Sequence, residues 1–504
     1  MLLSEKEFGL LSGNYSEKRW ANGEGGSIEQ WKRIFYRHFG NQIMDDGHPD
    51  TVPLGWDSSA LTQYRAYHHL DLPATGLVLV PGSTSEVSLM VRLAVQERVP
   101  VIARGGGSGV VEGVFPHPHS LVLDLTHLDA MGPVDATNGH ITVGAGVNAL
   151  RLEQHLNAQG WTLGHWPQSI GQATVGGLVA TKSIGQYSTR YGGIEHMVRD
   201  LEVVTGTGDI LSVGHLSPRR SAGPELLPLF IGSEGTFGII TQVTLKLWPA
   251  PEHEQGIALS LPDFEAGIEV MRRWIQSGLS PSVVRLYDPA ETARSFASIR
   301  DQSLLLAVFH GPQAMTAAAV QEAIRRAPEG MPAEQSLVDH WFQTRNDVSA
   351  WVPLLKQGFL VDTIEVAAAW DRLAVLYHTV VDHVTAIPGV LGISGHSSHG
   401  YSDGANLYFT FLANPGKPED GPPLYRRIWS QVMEDSFHHG GTSSHHHGVG
   451  RIRPAWVARE RAQEMPYLHR IHDLFDPLGL LNGGALWTTF STGSPNDGDN
   501  NSSS

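Results

Sequence analysis

Three glycine-rich loops, each attached to an apolar, strand-like run, constrain this chain more than any other feature. The first, Arg104-Gly105-Gly106-Gly107-Ser108-Gly109, follows Val99-Pro100-Val101-Ile102-Ala103. The second fills the stretch from Gly164 to Gly193, rich in glycine and small hydroxyl residues and lacking the apolar periodicity of a core helix. The third, Gly232-Ser233-Glu234-Gly235-Thr236-Phe237-Gly238, leads into Ile239-Ile240-Thr241. Glycine lets backbone approach a ligand closely, and consecutive free N–H groups form anion-binding nests. One such loop reads as a tight turn; three in this order predict a single site for a large, phosphate-bearing ligand.

Around these loops, strands and helices alternate. Leu77 to Val80 reads as a buried strand, Thr84 to Arg98 as a helix with Val87, Met90, Val91 and Ala94 on one face, and Val99 to Ile102 as the next strand. Leu121 to Leu125 adds a strand, and Leu201 to Val213 a hairpin with a glycine turn. Gly144-x-Gly146-x-x-Ala149 imitates a dinucleotide fingerprint, but no acid stands about 20 residues on, where Trp166-Pro167-Gln168 lies. It is expected to be a turn. Beyond Pro249-Ala250-Pro251 the helical patterns lengthen (Phe264 to Gly278, Ala314 to Ala327, Trp370 to Ile387), with strand-like runs at Leu304 to His310 and Asn406 to Leu412.

With 504 residues, 41% of them hydrophobic, the chain can build two or three sizeable cores. A net charge of −16 argues against a nucleic-acid partner, which would need concentrated Lys and Arg. The absence of Cys excludes disulfides, thiolate metal sites and a Cys nucleophile, and fits a reducing compartment. The start at Met1 has no basic and apolar leader pattern, and no apolar run reaches bilayer-spanning length. The sequence therefore reads as cytoplasmic, with peripheral membrane contact left open.

Two further segments carry chemistry. His445-His446-His447-Gly448-Val449-Gly450 places three imidazoles beside a Gly-Val-Gly run that can pass close against a ligand; taken alone it also suits a solvated run or a metal pair. Tyr408 stands in the apolar run of Tyr401-Ser402-Asp403-Gly404-Ala405-Asn406-Leu407-Tyr408-Phe409, as a core aromatic or as an acid–base group. The second role is expected to need a pKa lowered by neighbouring histidines or an arginine. Arg285, between Val284 and Leu286, reads as a surface charge or as a partly buried anion ligand.

The three loops in order, with Ala-Thr-Val-Gly-Gly-Leu-Val-Ala-Thr in the second and Gly-Ser-Glu-Gly-Thr-Phe-Gly-Ile-Ile-Thr in the third, resemble the FAD-binding domain of the vanillyl-alcohol oxidase / p-cresol methylhydroxylase superfamily, continuously from about Asp57 to Pro251. The resemblance implies an α+β chain: a two-subdomain FAD-binding domain of the p-cresol methylhydroxylase type and a mixed α/β cap over the flavin. Flavin contacts are then expected at Arg104, Gly105, Gly106, Gly107, Ser108, Gly109, Pro167, Ser169, Thr174, Gly176, Gly177, Thr181, Ser183, Gly185, Glu234, Gly235 and Ile240. Some members tether the flavin to a histidine after the first loop; Ser108 takes that place here, so the FAD is expected to be non-covalent.

His-His-His-Gly-Val-Gly-Arg-Ile-Arg and Tyr-Ser-Asp-Gly-Ala-Asn-Leu-Tyr-Phe narrow the likeness to the alkyldihydroxyacetonephosphate synthases, from near Trp20 to about Asn482. The flavoprotein 2-hydroxy-acid dehydrogenases share the architecture but usually carry a single Glu-His-Gly here and a histidine, often a metal ligand, at Tyr408. Both differences favour the synthase branch and no metal. That resemblance implies acyl-for-alcohol exchange on an acylated dihydroxyacetone phosphate without net redox change. It gives Tyr408 proton abstraction, His445, His446 and His447 the flavin-side cluster, His165 and Thr174 places near the ring, and Arg285 substrate binding. One family arginine is replaced by Trp351; Arg345 is the candidate to stand in for it. A small-molecule or lipid substrate and a homodimer are the expected partners. The expected organisation is an N-terminal arm (1–52), the FAD domain (53–251), the cap (252–435), a closing segment with the His cluster (436–490) and a disordered polar tail (491–504).

Overall fold

The computed structural model describes residues 28–44, 56–72, 76–115, 119–296 and 298–486. The polar tail and the Trp20–Gly26 loop lie outside the described residues.

Alternation of apolar runs and amphipathic stretches produces the expected first unit. Strand Leu77–Leu79, helix Thr84–Glu97 and strand Val101–Arg104 follow one another, and strand Leu121–Asp124 inserts in parallel between the two strands. Ser83 caps the helix by accepting the Glu86 N–H, and Val87, Met90, Val91 and Ala94 are its buried face. Helix Ile28–Phe39 sends Trp31, Phe35 and Phe39 into the same core, and strand Ile43–Met44 extends the sheet along Leu77–Leu79. The described part of the N-terminal segment is thus packed into this unit rather than standing apart as an arm.

The second unit is an antiparallel sheet in the order His140–Gly144, Ile239–Lys246, Val198–Val204, Ile210–Gly214. The last two strands are the expected glycine-turned hairpin. The Gly144–Gly146 stretch is indeed a turn: carbonyl oxygens of Leu128 and Leu125 occupy the space where Cβ atoms would stand, which leaves no room for a nucleotide.

The cap is an antiparallel seven-stranded sheet ordered Met331–Pro332, His253–Leu261, Ser303–Gly311, Val283–Tyr287, Val390–Ser397, Gly404–Ala413, Leu360–Ala369. Side chains alternate across a strand, so each strand splits between two faces. Leu305, Ala307 and Phe309 join a core under helices Phe264–Gln276, Gln313–Arg325 and Trp370–Thr385, whereas Leu304, Leu306 and Val308 join the core shared with the second unit. The boundary read between residues 435 and 436 falls inside the last turn of helix Gly421–His438, which packs on this same sheet. The chain finally returns to its beginning. Leu481 bridges Val101 in parallel, the Val101 N–H donates to Leu480 O at 2.8 Å, and the Asn482 N–H donates to Val101 O at 2.8 Å.

Candidate active site

The cap face turned toward the glycine loops carries the polar set. In strand Gly404–Ala413, Ala405, Leu407, Phe409 and Phe411 belong to the helix-side core, so Asn406, Tyr408 and Thr410 point the other way. Strand pairing sets Glu365 and His396 on either side of Tyr408, and Tyr287 opposite His396. Arg285 shares the face of Val283 and Tyr287. Register alone therefore sets Tyr287, His396, Tyr408 and Glu365 in one row, with Arg285 two residues from Tyr287 on the same face.

The loop of the three histidines is bound to that row. Glu365, fully buried, accepts the backbone N–H groups of His445, His446 and His447 at 2.8, 3.2 and 2.7 Å. Arg453, equally buried, donates to Glu365 Oε2 at 3.1 Å and to the Ser443 carbonyl at 2.9 Å. Burial alone would raise the Glu365 pKa; the charges of Arg453 and His447 and the His445 N–H outweigh it and hold the carboxyl at about 2. This anchor fixes the imidazoles against Tyr408, whose hydroxyl lies 2.5 Å from His446 Nε2. His396 stacks on the Tyr408 ring at 4.3 Å, and Ser188 Oγ of the flavin-side unit meets His399 Nδ1 at 2.7 Å.

Burial sets the charge state of the cluster. It lowers His445 and His447 to about 4, His165 to about 3, and His446 and His399 well below the ordinary 6.5, so these rings are neutral near pH 7. It also pushes Tyr408 above the usual 10, reinforced by Glu365, while the Arg285 charge pulls the other way without prevailing. The expectation of a lowered Tyr408 pKa is thereby corrected: neutral histidines offer no positive charge to stabilise a phenolate.

The glycine loops face this row. The first two are pressed together: a Cβ on Gly106 would fall on the Gln172 carbonyl, and one on Gly105 on the Thr174 hydroxyl. The third is tied to the end of the histidine loop, since the Glu234 carboxylate accepts the N–H groups of Val449 and Gly450 at 2.6 and 2.8 Å. The Glu234 backbone is engaged as well, its N–H donating to Ala180 O at 2.8 Å and its carbonyl accepting from Asn482 Nδ2 at 2.7 Å, so this loop is locked on three sides. The Arg104 guanidinium is held by Asp124 at 2.8 Å, and Thr181 Oγ1 donates to Gly177 O at 3.0 Å. His165 Nε2 meets Ser183 Oγ at 2.8 Å. Pro167 is buried and Ser169 half-buried in the following turn, Gly185 packs on the Trp166 backbone, and Ile240 is buried in its strand. Of the other expected contacts, Ser108 is half-buried, Gly109 packs beside Asp57, Gly176 against Ala145 and Gly235 beside Ala103.

Thr174 Oγ1, His165 Nδ1, His447 Nδ1 and Arg285 Nε are buried with no hydrogen-bond partner among the described residues, which leaves them available to a ligand. Hydroxyl, imidazole and guanidinium donors and acceptors between closely packed glycine backbones suit a dinucleotide with a polar ring system. Arg345 lies at the joint of the two halves, donating to Tyr187 Oη at 2.8 Å and surrounded by Trp166, Trp341 and Phe342 within 4.8 to 5.2 Å. Trp351 packs instead against the helix-side core.

A glycine-lined cradle closed by a polar sheet face defines a flavin-dependent enzyme, and comparison agrees. Residues 75–214 match the family model of the FAD binding domain, and residues 250–486 that of the C-terminal domain of FAD linked oxidases. The chain belongs to the FAD-linked oxidase family of the p-cresol methylhydroxylase / vanillyl-alcohol oxidase type, and FAD is its cofactor. Among relatives, the uncharacterized FAD-linked oxidoreductase YgcU of Escherichia coli K12 is 32% identical over 434 residues, covering 82% of this chain and 90% of that one. The alkyldihydroxyacetonephosphate synthase of Dictyostelium discoideum is 28% identical over 456 residues, covering 82% and 74%. A solved structure of an alkyldihydroxyacetonephosphate synthase superposes with a TM-score of 0.75 at 24% identity over 91% of this chain and 88% of that one, a likeness of fold.

Glu365, Arg453, His396, His399 and Tyr401 belong to the site but were given no role from sequence. Two acids, Asp362 and Glu365, amid Leu360, Val361, Ile364 and Val366 were the available signal: a charge inside an apolar strand needs a buried partner.

Proposed function

We propose that the protein is an FAD-dependent transferase that exchanges the acyl group of an acyl-dihydroxyacetone phosphate for a long-chain alcohol. The supporting observation is the Tyr408–His446 pair, set on one sheet face with Arg285 and turned toward the glycine loops expected to hold the flavin. Bound FAD supplies the electrophilic centre of the chemistry. Arg285, with Nε unpartnered, takes the anionic end of the substrate, and Tyr408 exchanges a proton with the substrate at its Oη. Glu365 and Arg453 hold the histidine loop, so the imidazoles need no reorganisation during the reaction. Thr174, His165 and the three loops hold the cofactor, and Ser108 leaves it non-covalent; acid precipitation should release all of the flavin, and retained flavin would refute this.

A second reading is favoured by Trp351, which offers no guanidinium to the site, and by the 32% identical relative described as an oxidoreductase: oxidation of a hydroxy acid or alcohol on the same frame. The two are separated by mixing FAD-loaded protein anaerobically with acyl-dihydroxyacetone phosphate and a long-chain alcohol, without an electron acceptor. Ether product detected by mass supports the transferase. No product, with flavin bleaching by one of a panel of hydroxy acids and alcohols, supports the oxidoreductase.

A further inference from the structure

Beyond Tyr408 the hydrogen bonds continue without a gap. Tyr408 Oη lies 2.5 Å from His446 Nε2, His446 Nδ1 lies 2.8 Å from His445 Nδ1, and His445 Nε2 lies 2.7 Å from Tyr401 Oη. Each imidazole uses both of its nitrogens in the chain. Tyr401 is half-buried where the strand pair turns, held by its N–H to Gly404 O at 2.8 Å, and the next two residues, Ser402 and Asp403, are exposed. The far end therefore stands beside the exposed Ser402 and Asp403.

We propose that Tyr408, His446, His445 and Tyr401 form a proton wire that carries one proton between the substrate pocket and bulk water. The proposal rests on Tyr408 as the group that meets the substrate, and adds Tyr401 as the outlet. The contact between two Nδ1 atoms is the decisive element. Neutral imidazoles carry one N–H each, so an Nδ1···Nδ1 hydrogen bond holds a single proton and forces the two rings into opposite tautomers. In one orientation Tyr408 O–H donates to His446, His446 Nδ1–H to His445, and His445 Nε2–H to Tyr401, whose own O–H points outward. When the substrate gives a proton to Tyr408 Oη, the Tyr408 proton passes to His446 Nε2, the Nδ1 proton to His445, the His445 Nε2 proton to Tyr401, and the Tyr401 proton to water. Each of the four groups gains one proton and loses one, so all end neutral. The chain is left in its reverse orientation, with both tautomers exchanged, ready to return a proton to the substrate.

This resolves the chemistry of a tyrosine that burial keeps protonated, because no phenolate has to persist. It also explains the anchoring of three consecutive backbone N–H groups on Glu365: a wire conducts only while its distances are held. Glu365 itself stays outside the path, engaged by Arg453 and the backbone.

Two measurements test the wire. The first is 15N NMR of FAD-loaded protein labelled at histidine, assigned by difference with His445→Gln and His446→Gln. The expected result is one Nδ1–H ring and one Nε2–H ring for the pair; both rings as Nε2–H would overturn the proposal whether or not a substrate is known. The second uses whichever substrate the assays above identify, comparing wild type with Tyr401→Phe, which keeps the ring and removes only the hydroxyl. The expected result is a fall in kcat of about tenfold with KM within about twofold, and a curved proton inventory in D2O mixtures that becomes linear. Unchanged kcat and inventory would overturn the wire while leaving Tyr408 and the functional reading intact.

Discussion

Replacing Glu365 by Gln isolates the electrostatic anchor of the site from its shape. The wild-type carboxylate is fully buried, accepts three consecutive backbone N–H groups and faces Arg453, whose side chain is fully buried as well. Its displacement from the usual 4.5 to about 2 corresponds to about 3 kcal/mol, at 1.36 kcal/mol per pH unit. That agrees with the roughly 3–5 kcal/mol typical when one partner of a buried pair is removed and the other charge stays behind. Glu365→Gln and Arg453→Met should therefore each lower stability by about 3 kcal/mol at pH 7. The double variant should be less destabilised than the two losses combined, because it leaves no buried charge unpaired. Urea unfolding, followed by tryptophan and flavin fluorescence, measures all four proteins. A loss below about 1 kcal/mol for Glu365→Gln, or losses that simply add in the double variant, would refute the claim that this ion pair holds the histidine loop.

Acid should unfold the protein early. His445 and His447 titrate near 4 and His165 near 3 when folded, against 6.5 unfolded, so near pH 5 these three groups bind close to three more protons in the unfolded chain. Asp362, raised by burial to about 6 when folded, offsets about one of them. The histidine contribution is full above pH 6.5 and falls away below it, at about 4 kcal/mol per pH unit near pH 5 before that offset, with Glu365 adding its own loss from pH 4.5 downward. A urea midpoint unchanged between pH 7 and pH 5 would contradict this. Tyr408→Phe should keep its flavin yet lose about 10² to 10⁴ in turnover, read by steady-state kinetics with the identified substrate. Gly106→Ala drives a methyl group into the Gln172 carbonyl, so the protein should purify with little flavin and weaken FAD affinity by at least about tenfold, read by fluorescence titration.

The parts of the site legible in the sequence are those written in local motifs. The loops at 104–109, 164–193 and 232–238 each carry their geometry in a few neighbouring residues, and the same holds for His445 to His447. Glu365 and Arg453 stand 88 residues apart, and Tyr401 and His445 44 apart, so their meeting depends on sheet register and on how a loop folds back over it. Register was partly readable, since alternation from Ala405 to Phe411 already assigns Asn406 and Tyr408 to the face away from the helices. The titration of Tyr408 was not, because it depends on desolvation and on whether the neighbouring histidines are charged. The cap boundary was misjudged for a local reason: the His438–Gly441 stretch looks like a new segment but ends the helix that begins at Gly421.

The late return of Leu480–Asn482 to Val101 sets a timetable for synthesis on the ribosome. The outermost strand of the first sheet is completed by residues made only after the whole cap, and Asn482 Nδ2 also donates to the carbonyls of Gly113 and Glu234. The nascent flavin-binding half must wait through the whole of the cap with that edge uncovered, a state that invites pairing with another chain. For the same reason, an exchange of caps between relatives would succeed only if the last stretch of chain stayed with the half that it closes.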